Sequence, residues 1–182
     1  GIGMGLRRLP LEKIPVAGVL SAAFFVASLI NVPLGPVSVH LIMNGLAGLI
    51  LGWAAFPALF VGLLLQTVFF GFGGITVLGV NTVNIALPAV ICFYLCRHGV
   101  ASKSPRTAAI WGALGGGLAV ALTSVAVAVS LALSGDEFIA AAKLVLIAHF
   151  PVMLLEGGLT AAAVGLIAKT KPELFHTVAK DQ

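Results

Sequence analysis

The sequence predicts an all-α, polytopic transmembrane helical bundle, six helices in a single integral membrane domain over residues 1–182. Three observations carry this. Hydrophobic residues make up 60% of the chain and charged residues 9%, against about one-quarter charged in an average soluble domain, and the mean hydropathy is +1.15. The apolar residues fall in runs close to the roughly 20 residues a membrane-spanning helix needs. The charges collect in the segments between alternate runs. A soluble globular domain, a disordered tail and a nucleic-acid-binding module are thereby excluded, and the net charge of +4 reports orientation in a bilayer. Strands of a membrane β-barrel would alternate apolar with polar residues, and these runs do not.

The first span is expected over residues 14–30, stopped at Asn31-Val32-Pro33, because proline disfavours helix in the residue before it. Arg7, Arg8 and Lys13 ahead of this run resemble the start of a signal peptide, but the run is long for one and the small-residue cleavage pattern is missing. The second span is expected from residue 39 or 40 to Pro57, and the third from Ala58 to Phe70 or Phe72, where Gly71, Gly73 and Gly74 open a loop. The fourth covers residues 83–95 and ends at Arg97-His98-Gly99. The fifth, residues 108–133, is uncharged and carries Gly115-Gly116-Gly117 as a place to bend. Ser134-Gly135-Asp136-Glu137 then turns the chain, its acids suited to a helix N-terminus, and the sixth span covers residues 138–168 with Pro151 as a kink point.

The basic residues test this count. Arg7, Arg8 and Lys13 precede the first span; Arg97, Lys103 and Arg106 separate the fourth from the fifth; Lys169, Lys171 and Lys180 follow the sixth. Six spans place all three groups on one side, and only Lys143 lies within a span. The opposite segments, residues 31–39, 71–82 and 134–137, contain no Lys or Arg. The positive-inside rule therefore predicts a cell-membrane protein with both termini of this chain cytoplasmic. Cys92 and Cys96, one helical turn apart in an apolar run, read as buried small residues and fit neither a disulfide framework nor a zinc site.

In so apolar a chain each polar residue at membrane depth is a candidate site. His40 stands at the outer end of the second span, with Ser38 before it and Asn44 four residues on. Imidazole is a strong ligand for nickel, cobalt, copper and zinc, and equally serves as a capping or interfacial group. Asn81 and Asn84 flank the start of the fourth span on the same outer side, where they either line a pocket around His40 or cap the helix. His149 and Glu156, two turns apart on the sixth helix, form either a proton or ion relay or a pair of inward groups satisfied by packing. His98 and His176 fall in cytoplasmic segments. Gly48 with Gly52, and Ala23 with Ala27, give small-xxx-small faces suited to close helix packing or to a partner subunit.

No phosphate-binding loop, metalloprotease H-E-x-x-H or hydrolase G-x-S-x-G motif is present, which leaves a non-enzymatic carrier or channel. Two rivals stand beside metal capture: a proton- or ion-coupled carrier for another small solute, and a non-transporting membrane scaffold.

Residues 32–88, VPLGPVSVHLIMNGLAGLILGWAAFPALFVGLLLQTVFFGFGGITVLGVNTVNIALP, together with residues 150–158 and 171–175, resemble the cobalt/nickel permease membrane subunits of the CbiM/NikM type. The resemblance covers essentially the whole chain, and its specificity lies in the Ser-Val-His-Leu and Phe-Gly-Gly-Ile-Thr-x-Leu-Gly-x-Asn blocks together. It implies the substrate-binding component of an energy-coupling factor transporter, carrying Co2+ first and Ni2+ next. It also implies a coupling transmembrane subunit and ATP-binding subunits in trans, with a small accessory membrane subunit. It makes His40 the metal ligand and residues 73–84 a wall of the same pocket. The family pattern further implies an N-terminal helix starting with an extracytoplasmic Met-His pair that completes the site. The opening Gly1-Ile2-Gly3-Met4-Gly5-Leu6-Arg7-Arg8 looks like the cytoplasmic end of that helix, which would make seven helices in the full-length chain.

Overall fold

The computed structural model describes residues 1–34, 37–71 and 73–175, with backbone alone for residues 31–34 and 37–39. His176, Lys180, Pro36 and Phe72 fall outside the described residues, and so does the side chain of Ser38. Among the described residues the chain forms seven α-helices and one β-hairpin: α1 (Ile2–Arg7), α2 (Ile14–Ala27), β1 (Asn31–Leu34), β2 (Val37–His40), α3 (Asn44–Leu51), α4 (Ala55–Phe70), α5 (Leu78–Val100), α6 (Pro105–Ser134) and α7 (Ile139–Thr170). The helical stretches Asn44–Phe70, Ile75–Val100, Pro105–Ser134 and Asp136–Thr170 have the length and apolar character of membrane spans.

The first of these stretches is folded back on itself. Gly52 takes φ 56° and ψ −125°, a conformation open to glycine and costly for residues with a Cβ, and there α3 gives way to a short 3-10 turn (Gly52–Ala54). Contacts on α5 show the reversal. Asn44 bonds the Ile85 carbonyl, Gly48 lies against Ala89, and Trp53 Nε1 donates to Tyr94 Oη at 2.9 Å, so α3 descends parallel to α5. Leu63, Gln66 and Thr67 of α4 then return to the level of His40, Leu78 and Ile85. α2 runs parallel to α4, with Ser21 Oγ donating to the Ala58 carbonyl at 2.7 Å and Phe25 stacked on Phe70. Helical segments α2–α7 therefore stand where the sequence placed six spans, but four stretches have the length of a span, and α3 is shortened to eight residues, or about 12 Å at 1.5 Å per residue.

Its starting point is a correction. The sequence suggested a helix from residue 39 or 40 through Pro57. His40 instead ends β2, paired with Asn31, and Pro57 belongs to the first turn of α4, where its missing N–H costs nothing. Met43, left-handed at φ 54°, precedes the true helix start. Other boundaries moved for local reasons. α2 stops at Ala27, where Ser28 Oγ bonds back to the Phe25 carbonyl before the chain enters β1. α5 begins five residues early, at Leu78, because Thr82 Oγ1 donates to the Leu78 carbonyl and so sits comfortably inside a helix that its polarity argued against. α6 starts at Pro105 after the cap residue Ser104, whose Oγ accepts from Thr107 N. α7 continues through Pro151.

The interior is built on small residues. A methyl group added at Gly48 would run into the Ala89 main chain, one at Gly112 into Val164, and one at Gly116 into Thr160. α3, α5, α6 and α7 thus approach at backbone distance, as small residues permit in lipid. Gly48 serves the bundle's own packing. The buried residues of α2 are Ala17, Ser21 and Phe24, of which Ser21 and Phe24 meet Ala58 and Gly62 of α4, while Ala23 and Ala27 are half-buried. Cys92 and Cys96 are free thiols in the core. Outward faces such as Ile147, Phe150, Leu154 and Leu155 of α7 are exposed and apolar, a surface that lipid stabilises and water does not.

The two ends of the bundle differ. α1 packs through Gly5 on Trp53 and Pro57, and Arg97 stacks its guanidinium over Tyr94 at 5.2 Å, so the basic residues beside these helix ends gather opposite His40. Trp53, Tyr94 and Trp111, the last packed on Gly99, mark this end with the aromatic side chains favoured at a bilayer interface. Replacing Gly48 with Ala should lower thermal stability in detergent by about 1–3 kcal/mol through overpacking. Gly18→Ala, where nothing lies within 4 Å of the new methyl, should leave the melting temperature unchanged or slightly raised.

Candidate metal site

Near the hairpin end, β2, α4, α5, α6 and α7 enclose a cavity of about 310 Å3. Its polar wall is formed by His40, Gln66, Thr67, Asn81, Thr123 and His149, and Ile42, Leu63, Gly73, Leu78, Ile85, Val127 and Val145 complete it. The fold delivers His40 by running a short hairpin into the bundle mouth and then leading the extended segment 41–43 down to α3.

His40 Nδ1 lies 3.0 Å from the Leu41 carbonyl oxygen. A carbonyl only accepts, so Nδ1 carries the hydrogen and Nε2 keeps its lone pair, the tautomer a metal ligand needs. The segment behind it is fixed from α7. Glu156, fully buried, accepts through Oε1 from the backbone amides of both Ile42 and Met43, the latter at 2.8 Å. These two amides fall in the non-helical stretch and have no helix carbonyl to pair with, and at membrane depth each would otherwise cost several kcal/mol. Glu156 Oε2 has no partner among the described residues.

Asn44 supports the floor. Its Nδ2 donates to the Ile85 carbonyl and to Thr123 Oγ1, both at 2.9 Å, joining α3 to α5 and α6, and through Thr123 it touches the cavity wall. Asn81 lines the cavity directly. Its amide nitrogen occupies the space beside Gly73, where a Cβ would come within 2.7 Å and where φ is 73°. Asn84 turns to α6, donating to Ser130 Oγ at 3.0 Å. The backbone of Ser38 pairs with Pro33 in the hairpin.

His149 and Glu156 occupy different levels of α7. The first faces the cavity with Nδ1 2.8 Å from the Val145 carbonyl; the second holds the segment beneath His40. Gln66 and Thr123 are members of the wall that the sequence reading passed over. Gln66 is the lone amide in the run Leu63-Leu64-Leu65-Gln66-Thr67-Val68, a signal by the same logic that singled out His40. Among the described residues no three His, Cys, Asp or Glu side chains converge. The donors present are imidazole nitrogens and neutral amide and hydroxyl oxygens, a set that suits first-row transition cations better than calcium or magnesium.

Fold and cavity together define a polytopic membrane protein with a histidine-bearing pocket near one end of its bundle. The chain belongs to the CbiM family, the cobalt uptake substrate-specific transmembrane region, whose pattern matches residues 1–174. A Haemophilus influenzae protein named "Putative metal transport protein" is 44% identical over 181 residues, covering 97% of this chain and 86% of that one. The cobalt transport protein CbiM of Sorangium cellulosum is 28% identical, covering 88% of this chain and 76% of its own length. A fused nickel transport protein NikMN of Rhodobacter capsulatus is 38% identical over 106 residues, covering 55% of this chain and 30% of that protein. Two crystal structures share the fold: a transition metal transporter at TM-score 0.70 and 21% identity, covering 98% of this chain and 88% of that one, and a truncated one at TM-score 0.67 and 22% identity, covering 94% and 88%.

Glu156→Ala should free the amides of Ile42 and Met43, at roughly 1–3 kcal/mol for each unpaired donor. Hydrogen–deuterium exchange read by mass spectrometry should then quicken at least roughly tenfold in residues 41–44, with α5 and α6 unchanged. Glu156→Gln, which keeps an acceptor oxygen, should restore most of the protection.

Proposed function

We propose that this membrane component of metal transport captures a divalent transition cation, cobalt first and nickel next, at the hairpin end of its bundle, with His40 Nε2 as a ligand. The observation that carries this reading is His40 itself, an imidazole with Nδ1 engaged on a carbonyl and its ring in a cavity walled by neutral donors. The surrounding charge favours it too. Residues 31–40, 71–75 and 134–138, the loops at this end, contain Asp136 and Glu137 and no Lys or Arg, and the one basic residue near it, Lys143, lies on the exposed face of α7, so the loops oppose an approaching cation with no fixed positive charge.

In the full assembly, ATP-binding subunits and a coupling transmembrane subunit supply the energy, with a small accessory membrane subunit. This chain contributes no ATP hydrolysis and no catalytic residue, and the metal is its cargo. The protein sits in the cell (inner) membrane, with His40 toward the outside and the described chain ends toward the cytoplasm. The segregation of basic residues to the far end supports that orientation. Two imidazoles without a third strong donor among the described residues make tight capture dependent on further ligands.

His40→Ala should reduce cellular uptake of cobalt and nickel at submicromolar supply to the level of a transporter deletion. Loss of a ligand's hydrogen-bonding partner alone costs about 10–100-fold in metal affinity, and loss of the ligand should cost more. Unchanged uptake in His40→Ala, with transport lost in His149→Ala, would point instead to an ion-coupled carrier. Unchanged uptake in both would point to a scaffold. For orientation, single cysteines at Ser134 and Ser102 in a Cys92→Ala, Cys96→Ala background should differ in labelling by a membrane-impermeant maleimide. The first should react in intact cells and the second only after permeabilisation.

A further inference from the structure

His149 shares with His40 an arrangement that the packing of α7 does not require. Its Nδ1 hydrogen is donated to the Val145 carbonyl at 2.8 Å, one turn back on the same helix, so Nε2 keeps its lone pair. The ring is half-buried and lines the same cavity as His40, which comes from β2, a strand packed against α7. Two imidazoles from separate elements, each pinned through Nδ1 to a main-chain carbonyl, therefore border one space of about 310 Å3. Water takes about 30 Å3 per molecule in the liquid, so that space admits a cation together with several waters. Among the described residues no carboxylate and no Lys or Arg lines it. The remaining polar groups are the neutral side chains of Gln66, Thr67, Asn81 and Thr123. Gln66 is 3% exposed and its Nε2 has no partner among the described residues, as expected of an amide whose hydrogen-bonding partner enters with a hydrated ligand.

We infer that His149 Nε2 is a second imidazole ligand of the same cation that His40 binds, so that the entering metal is held between β2 and α7. This rests on the reading of His40 as a ligand. The pair explains why α7 carries a histidine at the cavity level, where a branched apolar residue would pack equally well. It also explains why both rings present the same tautomer to one space. Carbonyl-anchored neutral imidazoles bind Co2+ and Ni2+ without a proton having to leave, and neutral co-ligands keep the site exchangeable.

Co2+ alone, titrated into the full-length protein in lipid nanodiscs, is the probe. Affinity comes from the cobalt visible absorption band, and imidazole number from X-ray absorption fine structure. The wild type should show one imidazole more than His40 and any N-terminal histidine together supply. His149→Ala should show one fewer and bind at least roughly tenfold more weakly, a floor set by the effect of losing a ligand's partner alone. His149→Cys should bring in a sulfur shell and an intense thiolate-to-cobalt charge-transfer band that a packing residue would not produce. Gel filtration and melting curves identify folded variants, and if the alanine variant unfolds the cysteine variant decides. Wild-type affinity and imidazole count in folded His149→Ala, or no sulfur shell in folded His149→Cys, would overturn the inference. His40→Ala separates the two readings. Lost binding there with His149 silent defeats only the present inference, whereas unchanged binding in His40→Ala defeats the reading on which it rests.

Discussion

The bundle turns on a carboxylate buried in its centre. Glu156 accepts from the amides of Ile42 and Met43, residues more than a hundred positions earlier in the chain. Without it the segment between His40 and α3 would hold two main-chain N–H groups with no helix carbonyl to receive them. With it, the chain leaves the hairpin in extended form, passes the left-handed Met43 and enters α3 in the register that sets Asn44 against Ile85 and Thr123. A single side chain of α7 thereby fixes three things: the depth of α3, the level of His40 and the closure of the cavity floor. The burial of a carboxyl group is costly; here two main-chain donors offset part of that cost and give the carboxyl a structural task.

This arrangement accounts for what was legible in the sequence and what was not. Hydropathy located the crossings because lipid demands long apolar runs, and Lys and Arg marked the ends because charges do not settle in hydrocarbon. Neither observation distinguishes a helical apolar residue from an extended one. Residues 39–43 are as apolar as those that follow, and the group that receives the amides of Ile42 and Met43 between strand and helix is Glu156, remote in sequence. The phase of α2 was hidden for a related reason. The helix is apolar almost all round, so the spacing of Ala23 and Ala27 identified a small-residue face, while the contacts with α4 are made by Ser21, Phe24 and Phe25. Thr82 and Asn81 concealed the first turn of α5 because polar residues at a span boundary read as loop until the hydroxyl is seen bonding back within its own helix.

The candidate site was read more evenly. His40, Asn81 and His149 were visible as polar residues in apolar surroundings, and the fold brings them to one cavity. Asn44 and Asn84, chosen by the same reasoning, instead bond between helices, Asn44 under the cavity and Asn84 toward Ser130. A lone amide in a membrane run thus serves two purposes that spacing does not separate, and which it serves depends on whether a hydroxyl or carbonyl of a neighbouring helix comes within reach. Family membership and the shared fold place the chain among transmembrane regions for metal uptake, while the chemistry of the pocket comes from its own residues.

The brevity of α3 bears on how the protein enters its membrane. Eight residues, about 12 Å of helix, fall well short of the hydrocarbon thickness of roughly 30 Å. During synthesis such a segment is a poor candidate for release into lipid as an independent unit, and the polar main chain ahead of it has no partner until α7 has been made. Insertion of α3 is thus tied to that of α4 through the reversal at Gly52, the two moving into the bilayer as a helical hairpin. The hairpin's final depth is set only when the last helix supplies Glu156. The pocket accordingly draws its shape from both ends of the chain, the β-hairpin and α3 on one side and α7 on the other.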